Sequence, residues 1–307
     1  MPMAVAHSKE TVAKANGIYL CYQTFGQRSD PPVVLIMGMG AQMVGWDDEF
    51  CEQLARRGHF VVRFDNRDSG KSTRFDRAGV PDVMLALTRA WLGRPVDAPY
   101  LLSDMARDVT GLLDVLGIDK AHLVGASMGG TIAQTLAIEQ PHRVMTLTSM
   151  MSTTGDPALP SPGYAVLSTI FRPAPRDLAG YTEHYVATWK QLRGINSPED
   201  FERDRARAAR NHARGLCPDG GARQLAAILA SGSRRHLLKA VTAPTLVIHG
   251  DIDPLVPLAA GIDTAGSIPG AELVVLEGMG HALPTRYFAR IVDGISQLVS
   301  CAERPAR

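Results

Sequence analysis

The chain has 307 residues, 45% hydrophobic and 21% charged, with a formal net charge of +1. This is the make-up of a globular protein long enough to bury a large core. Near neutrality leaves no overall field to hold a polyanion, so neither nucleic acid nor an anionic membrane is an expected partner.

The first ten residues lack the apolar stretch of a signal peptide, and no uncharged apolar run reaches the roughly 18 residues of a membrane span. Four cysteines (Cys21, Cys51, Cys217, Cys301) share no repeated spacing. Without a Cys/His cluster no metal is expected, and dispersed thiols suit a reducing compartment. The cytoplasm is the expected location.

Residues 18–25 are rich in β-formers, and Val33-Val34-Leu35-Ile36-Met37 is a continuous apolar run of the kind buried in parallel sheets. Trp46 to Arg57 predicts a helix stopped by Gly58, followed by a strand from His59 to Phe64. Leu102 to Leu116 predicts a helix with Ser103 as N-cap and Gly117 as stop. Another strand, Ala121-His122-Leu123-Val124, leads through Gly125-Ala126-Ser127-Met128-Gly129 into a helix, and Val144 to Thr148 predicts the strand after it. Alternation of this kind implies a doubly wound, mostly parallel α/β sheet.

Near Thr153 the rhythm breaks in a Pro/Gly-rich stretch, and strand signals vanish until about Lys239. In this block Ser197 and Pro198 read as N-cap and first residue of a helix carrying Arg203, Arg205, Arg207 and Arg210. With Glu202 and Asp204 nearby, that arginine run is expected to be a solvated face. The expected organisation is thus a core of residues 1–154 and 240–307 with a helical cap of residues 155–239 inserted in it. Strands resume at Pro244–His249 and Glu272–Leu276, a helix is expected from Leu283 to Val299, and residues 302–307 should fray.

Gly-Ala-Ser-Met-Gly reads G-x-S-x-G, and its place between a buried strand and a helix makes it a nucleophile elbow. A serine hydroxyl needs a base to take its proton, and the base needs a third group to fix its tautomer. In elbow enzymes the acid and then the histidine follow later in the chain. Gly250-Asp251-Ile252-Asp253-Pro254 and Gly278-Met279-Gly280-His281 follow the last two strands and supply both. Ser127, Asp253 and His281 are therefore the candidate triad. Asp251 competes with Asp253 but is better suited to holding its own turn, and Asp156 is a minor alternative acid. His249 and His122 read as core histidines, and the other histidines as surface or packing residues. The oxyanion donors are expected to be the backbone N–H groups of Met128 and, from the loop Met37-Gly38-Met39-Gly40, of Met39. Asp65 to Ser72 ends like a phosphate-binding loop, but Asp65 occupies the place of the first glycine, so the cradle is incomplete.

With these residues in place the chain resembles the α/β-hydrolase superfamily from about Gly17 onward. The Met-Gly-Met-Gly loop stands where many members have His-Gly-x-Gly. Asp65-Asn66-Arg67-Asp68-Ser69-Gly70-Lys71-Ser72 is similar to the family's D-x-R-G-x-G-x-S, with Asp68 in place of a glycine. Within the superfamily, Ile36-Met37-Gly38, the Arg-Asp-Ser-Gly-Lys-Ser string and the Gly-Met-Gly-His-Ala-Leu-Pro ending look most like the aclacinomycin methylesterase-like bacterial esterases. The resemblance implies an α/β-hydrolase fold, a serine carboxylic-ester hydrolase working through an acyl-enzyme, a small-molecule ester substrate and no cofactor. A homodimer is admissible. Cap aromatics such as Tyr164, Phe171, Tyr181, Tyr185 and Trp189 are candidates to line the substrate cavity, with Tyr185 and Trp189 the nominated contacts. Perhydrolase or haloperoxidase, lactone or C–C bond hydrolysis are alternatives on the same triad, and a non-catalytic binding protein is the remaining one.

Overall fold

The computed structural model describes residues 5–304. Its strands are β1 (Thr11–Ala15), β2 (Ile18–Phe25), β3 (Pro32–Ile36), β4 (Phe60–Phe64), β5 (Ala121–Ala126), β6 (Val144–Met150), β7 (Thr245–Gly250) and β8 (Glu272–Leu276). They form one sheet in the order β1-β2-β4-β3-β5-β6-β7-β8, in which the β1–β2 and β2–β4 pairings are antiparallel and the other five are parallel. The order reverses at β3, which has β4 on one side and β5 on the other. Loops leaving β3 and β5 therefore diverge and leave a crevice at the carboxyl ends of the strands, where open sheets assemble their sites.

The helices are α1 (Asp48–Arg56), α2 (Val83–Trp91), α3 (Leu102–Val115), α4 (Met128–Glu139), α5 (Tyr164–Ile170), α6 (Leu178–Leu192), α7 (Pro198–Arg214), α8 (Gly220–Ser231), α9 (Leu258–Ser267) and α10 (Phe288–Glu303). Alternate residues of each central strand face opposite ways. Val34, Ile36, Val62 and Leu123 join Met105, Val109, Ile132 and Leu136 of α3 and α4 on one face. Val33, Leu35, Val61 and Val124 join Phe50, Leu54, Phe288 and Ile291 of α1 and α10 on the other. Burial on both faces is the reason these strands read as continuous apolar runs. Among the described residues no helix is long and apolar enough to cross a membrane.

Several boundaries differ from the sequence expectations. The first expected helix begins at Asp48, because Trp46 is fully buried and its carbonyl accepts from the Arg63 guanidinium. Ser103 is not an N-cap but lies inside α3. The cap is Leu101, whose side chain offers no acceptor; its own N–H donates to the Asp104 carboxylate at 2.8 Å, the half of a capping box that the third helical residue supplies. The last helix starts at Phe288, beyond Pro284, since the residue before a proline disfavours helical geometry. It continues to Glu303. The frayed tail expected from residue 302 therefore overlaps α10, and residues 305–307 lie outside the described residues.

Between β6 and β7 the chain is helical, as its sequence suggests. Ser197 caps α7, with the reciprocal bond to Asp200 in place. Of the α7 arginines expected to form a solvated face, Arg203, Arg205 and Arg210 keep side-chain exposures of 41%, 54% and 38%, while Arg207 is shielded at 14%. Arg203, Arg207 and Arg210 pair with Glu49, Asp47 and Asp48 at the start of α1, while along their own helix Arg205 pairs with Glu202 and Arg207 lies 3.7 Å from Asp204. Helix α8, expected to belong to the cap, packs against α2 and α3, and its Ala227 lies within the main apolar cluster.

Candidate active site

Ser127 sits between β5 and α4 with φ 54° and ψ −120°, a conformation that non-glycine residues rarely adopt. The surrounding glycines explain how the turn closes. A Cβ on Gly125 would lie 2.2 Å from the Gly129 carbonyl oxygen, and one on Gly129 would lie 1.9 Å from that of Ile36. The strained serine is held by its own backbone: its N–H donates to the Met150 carbonyl at 2.9 Å, and its carbonyl accepts from the Ser152 hydroxyl at 2.9 Å.

Asp253 and His281 reach this serine from the loops after β7 and β8. Asp253 Oδ1 accepts from the N–H groups of Leu255 and Val256 at 2.9 and 2.8 Å, which fixes the carboxylate plane. Its Oδ2 lies 2.8 Å from His281 Nδ1, and His281 Nε2 lies 2.9 Å from Ser127 Oγ. With Nδ1–H donated to the carboxylate, Nε2 is left to accept from the hydroxyl, the tautomer a general base requires. Asp253 and His281 are both buried, while Ser127 retains partial exposure.

The competing acids are engaged elsewhere. Asp251 Oδ1 accepts from the Gly278 N–H at 2.7 Å and so ties the acid loop to the histidine loop. Asp156 pairs with Arg235. His249 lies 3.8 Å from Asp253 Oδ2, but burial lowers its pKa, and its Nε2–H donates to the Val256 carbonyl at 2.7 Å. A neutral His249 therefore brings no second positive charge to the relay. His122, fully buried, bonds to Thr146 and Glu303.

The loop after β3 brings Gly38 beside Ser127: a Cβ there would lie 3.2 Å from Ser127 Cβ. Among the described residues the Met39 N–H donates to no backbone carbonyl, and Met128 is the first residue of α4, where a helix leaves its N–H groups without an intrahelical partner. What holds the loop was not evident from sequence. Gln224 of α8 accepts from the Gly40 N–H at 2.7 Å, and its amide donates to the Arg67 carbonyl at 2.8 Å and Ser69 Oγ at 3.1 Å. Asn66 donates to the Met37 carbonyl at 2.9 Å. The Met37 side chain, standing where a histidine is usual, packs against Gly45.

The 65–72 stretch is a scaffold for these loops. Asp65 accepts from the N–H groups of Met43 and Lys71 and pairs with Arg214 at the end of α7. Asp68 has φ 63°, the left-handed conformation for which glycine is the ordinary choice. It is used here because its carboxylate accepts from Tyr100, the Phe75 N–H and Arg223. Asp68, Asp76 and Cys217 converge as metal ligands might be arranged, but the Arg223 guanidinium already lies among all three.

Tyr185 and Trp189, the nominated substrate contacts, belong to a stripe with Tyr181 at successive ring separations of 5.9 Å. Burial pushes the Tyr185 phenol up, opposed by the adjacent Arg207 of α7, so this part of the stripe packs between α6 and α7. A cleft of about 280 Å³ on α6 and α7, lined by Thr182, Val186 and Arg205 among others, includes none of Ser127, Asp253 and His281.

Residues 31–284 match the family model of the α/β-hydrolase fold. The chain is 33% identical to rhodomycin D methylesterase DauP of Streptomyces sp. (strain C5), with 92% of this chain and 93% of that protein covered. It is 30% identical to a 2-hydroxy-6-oxononadienedioate/2-hydroxy-6-oxononatrienedioate hydrolase of Cupriavidus pinatubonensis, over 81% and 80% of the two chains. The solved meta-cleavage product hydrolase from Pseudomonas fluorescens IP01 superposes with a TM-score of 0.72 at 20% identity, covering 95% of this chain and 98% of that one.

Proposed function

The chain belongs to the α/β-hydrolase fold family, and from that premise we propose that it is a serine hydrolase of carboxylic esters, with methyl esters of bulky acids as its substrate class. The observation that carries this reading is the unbroken relay from Asp253 Oδ2 through His281 to Ser127 Oγ, with both links under 3 Å. Ser127 Oγ attacks the ester carbonyl carbon as His281 Nε2 takes its proton. Asp253 stabilises the imidazolium that forms. The N–H groups of Met39 and Met128 hold the oxyanion. When the tetrahedral intermediate collapses, the proton passes from His281 to the leaving alcohol, and water then cleaves the acyl-enzyme with His281 as base. The preference for a methyl leaving group and a bulky acyl group rests on similarity to a methylesterase along nearly the whole chain.

Ser127→Ala should abolish hydrolysis of p-nitrophenyl esters while leaving near-ultraviolet circular dichroism unchanged. Near wild-type turnover by that variant would sink the assignment. A panel of esters varying acyl size and alcohol tests the finer claim: selective cleavage of methyl esters of polycyclic acids supports it, and a preference for short acyl chains points to a general carboxylesterase. C–C bond hydrolysis on the same triad is the second reading, favoured by the 30% identical relative. Turnover of a vinylogous 1,5-diketone acid in place of any ester would establish it.

A further inference from the structure

The turn that ends α6 is bound to the histidine loop, backbone to backbone. The His281 N–H donates to the Leu192 carbonyl at 2.6 Å, the Gly280 N–H to that of Arg193 at 2.7 Å, and the Ile195 N–H to that of Gly278 at 3.2 Å. Gly194 pairs with Met279 as an isolated antiparallel bridge. No side chain fits between the two segments. A Cβ on Gly280 would lie 2.2 Å from the Leu192 oxygen, and one on Gly194, whose φ is 86°, would lie 2.8 Å from that of Gly278. Residues 192–195 thus form a strap laid across the loop that presents His281.

Beneath the strap is a buried charge cluster. Arg193, 3% exposed, donates to the Asp204 carboxylate, donates to Asn196 Oδ1 at 3.0 Å and lies 3.7 Å from Asp200. Both aspartates are on α7 and buried. Arg286, in the turn following the histidine loop, donates to the Ile195 carbonyl and lies 3.5 Å from Asp200. The ring of contacts therefore runs from α7 through Arg193 to the strap, from the strap to His281, and back through Arg286.

We infer that Arg193 is a positioning residue for the base: through the strap it fixes the backbone of His281, so that the docking of α6 and α7 sets the alignment of the histidine with Ser127. This rests on the reading of His281 as the base. The imidazole is held at its ring by Asp253 and at its backbone by the cap, and removing the second hold lets the 2.9 Å contact to Ser127 lengthen. Misplacement of a catalytic group by about 1 Å costs on the order of 100-fold in rate.

The test uses Arg193→Ala, Arg193→Lys and Gly280→Ala, assayed with p-nitrophenyl acetate, an ester too small to need the cap for binding. Arg193→Ala is expected to lower kcat about 10- to 100-fold with KM changed by no more than about 3-fold, with Arg193→Lys recovering part of the loss. The low-field proton resonance of the His281–Asp253 hydrogen bond should broaden or vanish in Arg193→Ala at a temperature where near-ultraviolet circular dichroism remains native. Gly280→Ala keeps the Arg193 side chain but drives a methyl group against the Leu192 oxygen and the Arg193 carbonyl carbon, separating strap from loop, and decides the matter should Arg193→Ala not fold. Wild-type kcat and an unmoved resonance in Gly280→Ala, or losses confined to KM, would overturn the proposal. An absence of ester turnover and of fluorophosphonate labelling in the wild-type protein would overturn the ester reading instead. The response of the His281 resonance to these substitutions still tests the strap in that event.

Discussion

Gly129 and Gln224 separate what one residue reveals from what only its surroundings reveal. Gly129 is part of a five-residue motif, and its physical reason is local: a methyl group would meet the Ile36 oxygen at 1.9 Å. Gly129→Ala should therefore destabilise the fold by about 3 kcal/mol and remove activity, as urea unfolding and an ester assay would register. Gln224 carries no motif. It acts on Gly40 across 184 residues of chain, and no pattern within a window of sequence could have found it. Because Gln224 fixes the peptide next to the Met39 N–H, Gln224→Ala should lower kcat about 10-fold or more with little change in KM, a fraction of the loss that follows removal of an oxyanion donor outright. An unchanged kcat would release Gln224 from that role. The triad residues were nominated because each lies in a short loop with its own signature, Gly-x-Ser-x-Gly, Gly-Asp-x-Asp-Pro or Gly-x-Gly-His. Arg193, Arg214 and Arg223 offered no such signature.

At the scale of elements, strands were legible because burial on both faces leaves unbroken apolar runs, and Ser197-Pro198 announced α7 through its capping chemistry. Helix α7 was misread on one point, since charge along a helix says nothing about what lies opposite. Its arginines face the acidic first turn of α1, where the helix dipole already favours carboxylates and where Arg63 helps hold Asp48 below the usual carboxylate range. Removing the exposed partners Arg203 or Arg210 should each cost about 0.5 kcal/mol or less. Arg207→Ala should cost more, about 1–2 kcal/mol, because Arg207 and Asp47 are mostly shielded from water. Thermal melts at low and high salt distinguish the cases: the effects of Arg203 and Arg210 should fade with salt and that of Arg207 should persist.

For the whole molecule, a buried histidine in the body of the fold makes stability depend on pH. Burial lowers the His59 pKa to about 4, with His122 nearby adding to the effect, and its Nε2 bonds to Ser296 of α10. The unfolded chain takes up this proton near pH 6.5, and the folded protein does so only near pH 4. Stability is therefore full above about pH 6.5 and declines as the pH falls toward 4. In His59→Gln the fall in melting temperature between pH 7 and pH 4 should be shallower, and an identical slope would remove His59 as its source. The doubly wound, mostly parallel sheet follows from the alternation of elements, which the sequence displays. The joining of α8 to the main core does not, because it depends on which face of a helix finds an apolar neighbour more than a hundred residues earlier.

The backbone of Ser127 carries a further consequence. At φ 54° and ψ −120° a side chain is held against its preference, at a cost of about 1–3 kcal/mol, and glycine would sit there without that strain. Ser127→Gly should therefore melt at a higher temperature than Ser127→Ala, which keeps the strain and loses the hydroxyl. If it also melts above the wild type, heat resistance and turnover pull in opposite directions at one position. A library selected only for survival on heating would then accumulate inert proteins, each with its fold intact and its nucleophile gone.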